Sequence, residues 1–77
     1  MDPAAEAVAK AAAAEAVDFE LQKKYNAAFF QYTRAIRLFL EIARDDSSVT
    51  DARRMAERCL ERAKRVREAG RVPRGLG

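Results

Sequence analysis

Apolar residues recur every three or four positions through the middle of the chain, which is the period of an α-helix. Residues 25–44 give the clearest run, because at about 100° per residue most of their apolar side chains share one face. The predicted stripe is Tyr25, Ala28, Phe29, Tyr32, Ile36, Phe39 and Ala43, with Leu40 at one margin, Ala35 and Ile42 at the other, and Phe30 and Leu38 outside it. Rings alternate with methyl groups, so we expect a second helix to approach closely at Ala28 and Ala35.

An alanine-rich segment before this helix predicts another one. Asp2 suits the N-cap and Pro3 the first helical position, and helix propensity stays high from Ala4 to about Gln22. Alanine side chains bury little area, so this helix contributes close packing more than hydrophobic burial. The first turn is predicted near residues 21–24.

Short polar side chains at residues 45–48 predict a loop, and a third helix is expected from Val49 or Thr50 to Ala69. Its predicted buried stripe is Ala52, Met55, Ala56, Cys59, Ala63 and Val66. Gly70 is the predicted C-cap.

Three amphipathic helices with short connections predict an all-α fold, an antiparallel three-helix bundle over residues 1–70. Residues 71–77 are predicted to form a flexible C-terminal tail or linker. A domain of 77 residues buries only about 60% of its unfolded surface. We therefore expect a shallow groove between helices rather than a deep cleft.

The composition argues against catalysis. The chain has no His, and its one Cys, Cys59, has no His partner that could activate it. The glycines are Gly70, Gly75 and Gly77, so no glycine-rich loop lies inside the fold to hold a phosphate. We expect no enzyme activity, no cofactor and no metal site.

Few features of the sequence indicate the cellular compartment. No apolar run approaches the roughly 20 residues that cross a bilayer, and no charged segment followed by an apolar one resembles a signal peptide. A single cysteine fits a reducing compartment. The expected location is the cytoplasm, and membranes are expected to be reached only indirectly.

Positive charge is concentrated towards the C-terminus. Residues 51–74 carry nine basic and four acidic side chains, a net charge of +5, whereas residues 1–50 carry six basic and eight acidic ones, a net charge of −2. This face can be merely solvated, with acids and bases paired four residues apart. Alternatively it binds an acidic partner: an acidic peptide, a tubulin tail or an anionic membrane. Nucleic acid is not expected, because no recognition-helix motif or aromatic stacking platform accompanies the charge.

Two segments resemble the MIT domain, the microtubule-interacting and trafficking module. Residues 24–28 (KYNAA), together with Tyr32 and Ala35, are similar to one run of that family, and residues 60–63 (LERA) are similar to a second. The resemblance extends over most of the chain. It implies a three-helix bundle that binds short C-terminal motifs of ESCRT-III subunits, either helical or extended, and recruits a larger parent protein to endosomal membranes or other ESCRT sites.

The resemblance also implies a site, the groove between the second and third helices. Leu60 lies at the margin of the third stripe, where it is either a core-edge leucine or the floor of that groove. The predicted peptide-binding residues are Leu60, Arg53, Glu57, Lys64, Arg67 and Leu40. Members that bind leucine-rich helices usually have an acid at the position of Lys64, so a different, more acidic ligand is implied.

Two other interpretations remain open. The spacing of Tyr25, Ala28, Tyr32 and Ala35 also resembles half of a tetratricopeptide hairpin, although no second copy follows at that repeat's spacing. The third interpretation is a small basic nucleic-acid-binding bundle. A MIT-type domain is expected to be a folded monomer, whereas an isolated repeat would be partly unfolded or self-associate. The hydroxyls of the tyrosines are expected to reach solvent, and Asp18 and Glu20 to be solvated or helix-end charges.

Overall fold

The structure, a computed structural model, describes residues 3–45 and 50–71. They form three helices, α1 (Pro3–Leu21), α2 (Tyr25–Asp45) and α3 (Thr50–Arg71), and these ranges contain no strand. The predicted all-α fold with three helices is confirmed. The helix starts at Pro3 and Tyr25 agree with the sequence, because proline fits the first helical turn and a turn separates α1 from α2. The predicted N-cap Asp2, residues 46–49 of the predicted loop region and residues 72–77 of the predicted tail lie outside the described residues.

The turn between α1 and α2 is closed by backbone hydrogen bonds. The amide of Lys24 donates to the carbonyl of Phe19, and the amide of Lys23 donates to that of Glu20, both at 2.9 Å. This pair of bonds is the Schellman arrangement, in which one residue after the helix takes the left-handed conformation. Lys23 is that residue, with φ of 61°. A lysine here adopts the backbone conformation that glycine usually supplies.

Helix α2 is the central helix, since both α1 and α3 pack along it while α1 and α3 scarcely approach each other. The start of α2 lies beside the end of α3, because a Cβ built on Gly70 would stand 3.3 Å from the Cβ of Tyr25. At the other end, Ile42 shares a cavity wall with Ala52. Residues further along α2 therefore meet residues earlier in α3.

Small side chains dominate the core. Besides Tyr32, Phe39 and Val66, most of the fully buried residues are alanines. The buried set is Ala9, Ala12, Ala16, Ala28, Tyr32, Ala35, Phe39, Ile42, Ala52, Ala56, Cys59, Ala63 and Val66. Alanine on facing helices lets the helix axes come close, as predicted for Ala28 and Ala35, both of which are completely buried.

The buried face of α2 is rotated from the predicted stripe. Ala35 and Ile42, predicted at its margin, belong to the core, whereas Phe29, predicted within it, is 37% exposed. Leu38, predicted outside, packs partly against the core. The reason is that α2 contacts a helix on each side, so its buried face centres on the residues between the two contacts. Phe30 is exposed, as predicted.

The buried residues of α3 are those of its predicted stripe, except that Met55 is only half-buried. Gly70 was expected to end the helix, and this is wrong: α3 continues to Arg71. Gly70 instead lies within the helix, against Tyr25. Its missing side chain leaves room for the start of α2, so close packing accounts for a glycine at this position.

A series of polar side chains crosses the bundle. Tyr32 is fully buried, and its hydroxyl donates a hydrogen bond of 2.7 Å to Glu20 Oε1. The interaction with Tyr32 raises the pKa of the Arg62 guanidinium on α3. Burial raises the pKa of Tyr32, the bond to Glu20 raises it further, and Arg62 opposes the rise. The expectation of a solvent-facing Tyr32 hydroxyl is therefore wrong, and Glu20 joins α1 to α2.

Candidate functional site

An apolar groove follows the outer seam between α2 and α3. Phe29 of α2 and Arg67 of α3 line one depression at the Tyr25 end of this seam. Ile36 lies two helical turns after Phe29 on α2, and Leu60 lies two turns before Arg67 on α3. Because the two helices run in opposite directions, Ile36 and Leu60 lie at the same level. We define the α2–α3 groove by its apolar residues Phe29, Ile36, Leu40 and Leu60.

These groove residues are accessible to a partner. The exposed fractions of Phe29, Leu40 and Leu60 are 37%, 48% and 44%, while Ile36 is half-buried against the core. Each residue sits beside a buried stripe instead of inside it, so its side chain packs on one flank and faces solvent on the other. An apolar floor with open flanks is what an amphipathic helix can cover.

A second depression lies at the Leu40 end of the groove. Its apolar part is formed by Ile36 and Leu40, and its charged part by Arg37, Glu41 and Arg44. At the opposite end, the depression around Phe29 has one charged lining residue, Arg67. All the residues that line the depression at Leu40 belong to α2, and basic groups line both depressions. Helix geometry places the exposed Leu60 at a level between them.

The six residues predicted as peptide-binding are all exposed. Leu40 lines one of the two depressions and Arg67 the other, and helix geometry places Leu60 two turns from Arg67 on the same side of α3. Lys64, one turn after Leu60, has its Nζ 3.9 Å from Glu61 Oε1, an exposed contact that constrains it little. Arg53 and Glu57 precede Leu60 on the same outward side of α3.

The sequence reasoning did not select Phe29, Ile36, Arg37 and Arg44 as site residues. Phe29 and Ile36 were predicted to be core residues because they lie within the apolar stripe of α2. The width of this stripe was a signal, because an apolar face that is wider than the area covered by neighbouring helices leaves one edge exposed to solvent. Arg37 and Arg44 gave no comparable signal.

A separate cavity of about 290 Å³ lies between α1 and α3. Apolar residues of α2 and α3 form its floor, and charged residues of α1 and α3 its rim. Its lining is Phe39, Ile42, Ala52 and Met55, with Glu6, Lys10, Asp51, Arg54 and Arg58. Lys10 Nζ lies 2.9 Å from Glu6 Oε1, so one positive charge of this rim is paired with an acid on its own helix.

Residues 3–45 and 50–71 were also compared with the requirements of a metal site, a reactive thiol and a membrane-spanning helix. No group of three or more metal-ligating side chains occurs within these ranges. Cys59 is buried, and burial raises the pKa of its thiol, so the reactive thiolate is disfavoured. Nor does any helix within this part of the chain have the length and hydropathy required to cross a membrane.

Comparison of the chain with protein-family models, with curated proteins and with solved structures gave no match. The groove therefore has to be interpreted from its own geometry and chemistry.

Proposed function

We propose that this protein is an interaction module of the MIT type. In this proposal the α2–α3 groove binds a short helical motif at the C-terminus of an ESCRT-III subunit. The bound motif recruits a larger parent protein to endosomal membranes or other sites of membrane remodelling. The module itself carries out no reaction.

The exposure of Leu60 carries the proposal. A leucine that is 44% exposed in the middle of an apolar groove leaves unburied surface that a partner helix could cover. Burying the rest of such a side chain contributes on the order of 1 kcal/mol, and the neighbouring Phe29 and Leu40 contribute similarly. Together these three contacts supply about 3 kcal/mol of the roughly 8 kcal/mol that a micromolar Kd requires, so the rest has to come from further contacts of the peptide with the groove and its rim.

The direct test is a titration of C-terminal peptides of ESCRT-III subunits against isotope-labelled protein, with the shifted amide signals mapped onto the helices. The proposal expects the largest shifts around Leu60 and along the Phe29–Leu40 edge of α2. Leu60→Asp is expected to remove binding, because a charge would have to be buried beneath the peptide. Its helical circular dichroism should be retained.

Val8→Asp is the matched control. Val8 is an exposed apolar residue of α1, outside the α2–α3 groove, and its exposed fraction is 44%, the same as that of Leu60. This variant introduces the same charge and should leave binding unchanged. If Leu60→Asp unfolds the protein, Leu60 is a core-edge residue and the proposal loses its central contact. If Leu60→Asp stays folded and still binds, the peptide uses another surface, and shifts around the cavity between α1 and α3 would identify it.

Sedimentation separates this proposal from the tetratricopeptide interpretation. A self-sufficient module should be a monomer with a cooperative thermal transition. An isolated repeat has an unpaired apolar face and would self-associate or melt without cooperativity.

A further inference from the structure

The charges around the α2–α3 groove indicate which kind of helix it binds. On the α3 side, the exposed basic residues beside Leu60 are Arg53, Lys64 and Arg67. On the α2 side, Arg37 and Arg44 line the depression at Leu40. Basic side chains therefore stand on both flanks of the apolar floor.

The acids near the groove are fewer than the bases. Glu41 lines the same depression as Arg37 and Arg44, and Glu57 lies one turn before Leu60. Glu61, which approaches Lys64 at 3.9 Å, is further outward on α3. The balance at the groove rim remains positive.

We infer that the partner of this groove is a net acidic amphipathic helix, with acidic residues on both sides of its apolar stripe. This inference rests on the proposed function, because it concerns the same groove, and it adds the chemistry of the partner. The basic groups at the rim would pair with the acids while Leu60 and its neighbours cover the apolar stripe. The same groups would repel a helix whose stripe is flanked by lysine or arginine.

The spacing of the basic residues suggests the length of the bound helix. Arg53 and Arg67 are separated by about 21 Å along α3, at a rise of about 1.5 Å per residue. A partner helix of about 15 residues would reach both. Its acids are expected near both ends, and its largest apolar residue at the level of Leu60.

A peptide accounts for the charge pattern better than an anionic membrane does. Three exposed acids, Glu57, Glu61 and Glu68, follow one another down the outward face of α3. They separate the basic residues beside the groove from those on the opposite flank, which include Arg65. Within the described part of α3 these acids interrupt the positive surface that a flat anionic membrane would contact, whereas a helix in the groove meets a rim on which bases outnumber acids.

The test uses two synthetic helical peptides of about 15 residues with the same leucine stripe. One has glutamates on both flanks of the stripe, and the other has lysines at the same positions. Binding is measured by fluorescence anisotropy at low and high salt. The inference predicts at least about tenfold tighter binding of the glutamate peptide at low salt, with the difference shrinking at high salt.

Two double variants with the same change in net charge provide the control. Lys64→Glu with Arg67→Glu reverses the rim and should weaken binding of the glutamate peptide by about tenfold. Arg34→Glu with Arg65→Glu reverses exposed charges outside the groove and should weaken it by no more than about twofold. An equal loss in both variants would mean that only overall charge matters, and would overturn the inference.

If both peptides bind equally well and Leu60→Asp abolishes both interactions, the groove binds helices without the inferred charge preference. If neither peptide binds the folded protein, the groove is not a helix site and both proposals fail. Binding to phosphatidylserine vesicles with none to the glutamate peptide would replace the peptide with a membrane surface.

Discussion

The hydroxyl of Tyr32 in α2 lies 2.7 Å from Glu20 Oε1 in α1 and donates a hydrogen bond to it. Arg62 of α3 lowers the pKa of this hydroxyl, against the larger effect of burial, so all three helices influence one tyrosine. Tyr32→Phe keeps the ring in the core but removes the bond to Glu20. We expect it to lower the free energy of unfolding by about 1–2 kcal/mol, measured by urea denaturation.

Tyr25→Phe is the matched control, since Tyr25 is only half-buried and lies near the solvent-exposed end of the groove. It should cost less than Tyr32→Phe. A double-mutant cycle of Tyr32→Phe with Glu20→Ala should give a coupling energy of at least about 0.5 kcal/mol. Additive effects would contradict a direct bond between these side chains.

The same tyrosine predicts a loss of stability in alkali. The pKa of Tyr32 is raised in the folded protein, chiefly by burial, so folding favours the protonated phenol. Its contribution is complete below the ordinary tyrosine pKa of about 10 and is lost as the pH rises through the folded-state pKa. Tyr32→Phe should lose less stability than the wild type does between neutral pH and pH values above about 10. Identical alkaline decline in the two proteins would contradict this assignment.

Two alanines mark where α2 approaches its neighbours most closely. Ala28 and Ala35 are completely buried, and a guanidinium at either position would have to displace packed backbone or lie unpaired in the core. Ala28→Arg or Ala35→Arg should cost about 3 kcal/mol or more, enough to unfold a domain of this size. Thermal melts followed by circular dichroism measure the effect.

Ala14→Arg makes the same exchange at an exposed position of α1. Its effect should stay within about 0.5 kcal/mol, as is usual for surface sites. If Ala35→Arg were equally mild, this face of α2 would not be in close contact with another helix.

Lys23 offers a stabilising substitution. Its φ of 61° is unfavourable for a residue with a Cβ atom, whereas glycine adopts this conformation without that penalty. Lys23→Gly should raise the free energy of unfolding by about 0.5–1 kcal/mol, after allowance for the greater freedom of glycine in the unfolded chain. Lys23→Ala removes the same charge but keeps the strained conformation, so it should give little gain. A larger gain for alanine than for glycine would rule out the strained turn.

Cys59 should be protected from thiol reagents. Its side chain is 4% exposed, and burial raises the pKa of the thiol. In the native protein at mildly alkaline pH, reaction with a disulfide reagent should be limited by transient opening of the bundle. The rate should increase strongly in urea, where the thiol is free. Equal rates with and without urea would place this side chain at the surface.

The sequence by itself determined the helices and much of the core. The three-to-four-residue spacing of apolar positions is a local property of one helix, so it predicted α2 over Tyr25–Asp45 almost to its ends. It also predicted the buried set of α3, because that helix has a narrow apolar stripe and one neighbouring helix. The turn after Leu21 could be predicted from the change in pattern, although Lys23 gave no sign of its left-handed conformation.

Only the tertiary structure decided which part of the apolar face of α2 is buried. Its apolar face is wide, and whether Phe29 or Ile42 is covered depends on where α1 and α3 lie, which no spacing within α2 specifies. The bond between Tyr32 and Glu20 depends on the same placement, since it joins residues on different helices. The groove followed for the same reason, because burying one edge of α2 left Phe29 exposed beside Arg67 at one end of the α2–α3 seam. Helix periodicity is encoded locally, whereas the surface left for a partner depends on how neighbouring helices divide the apolar face between them.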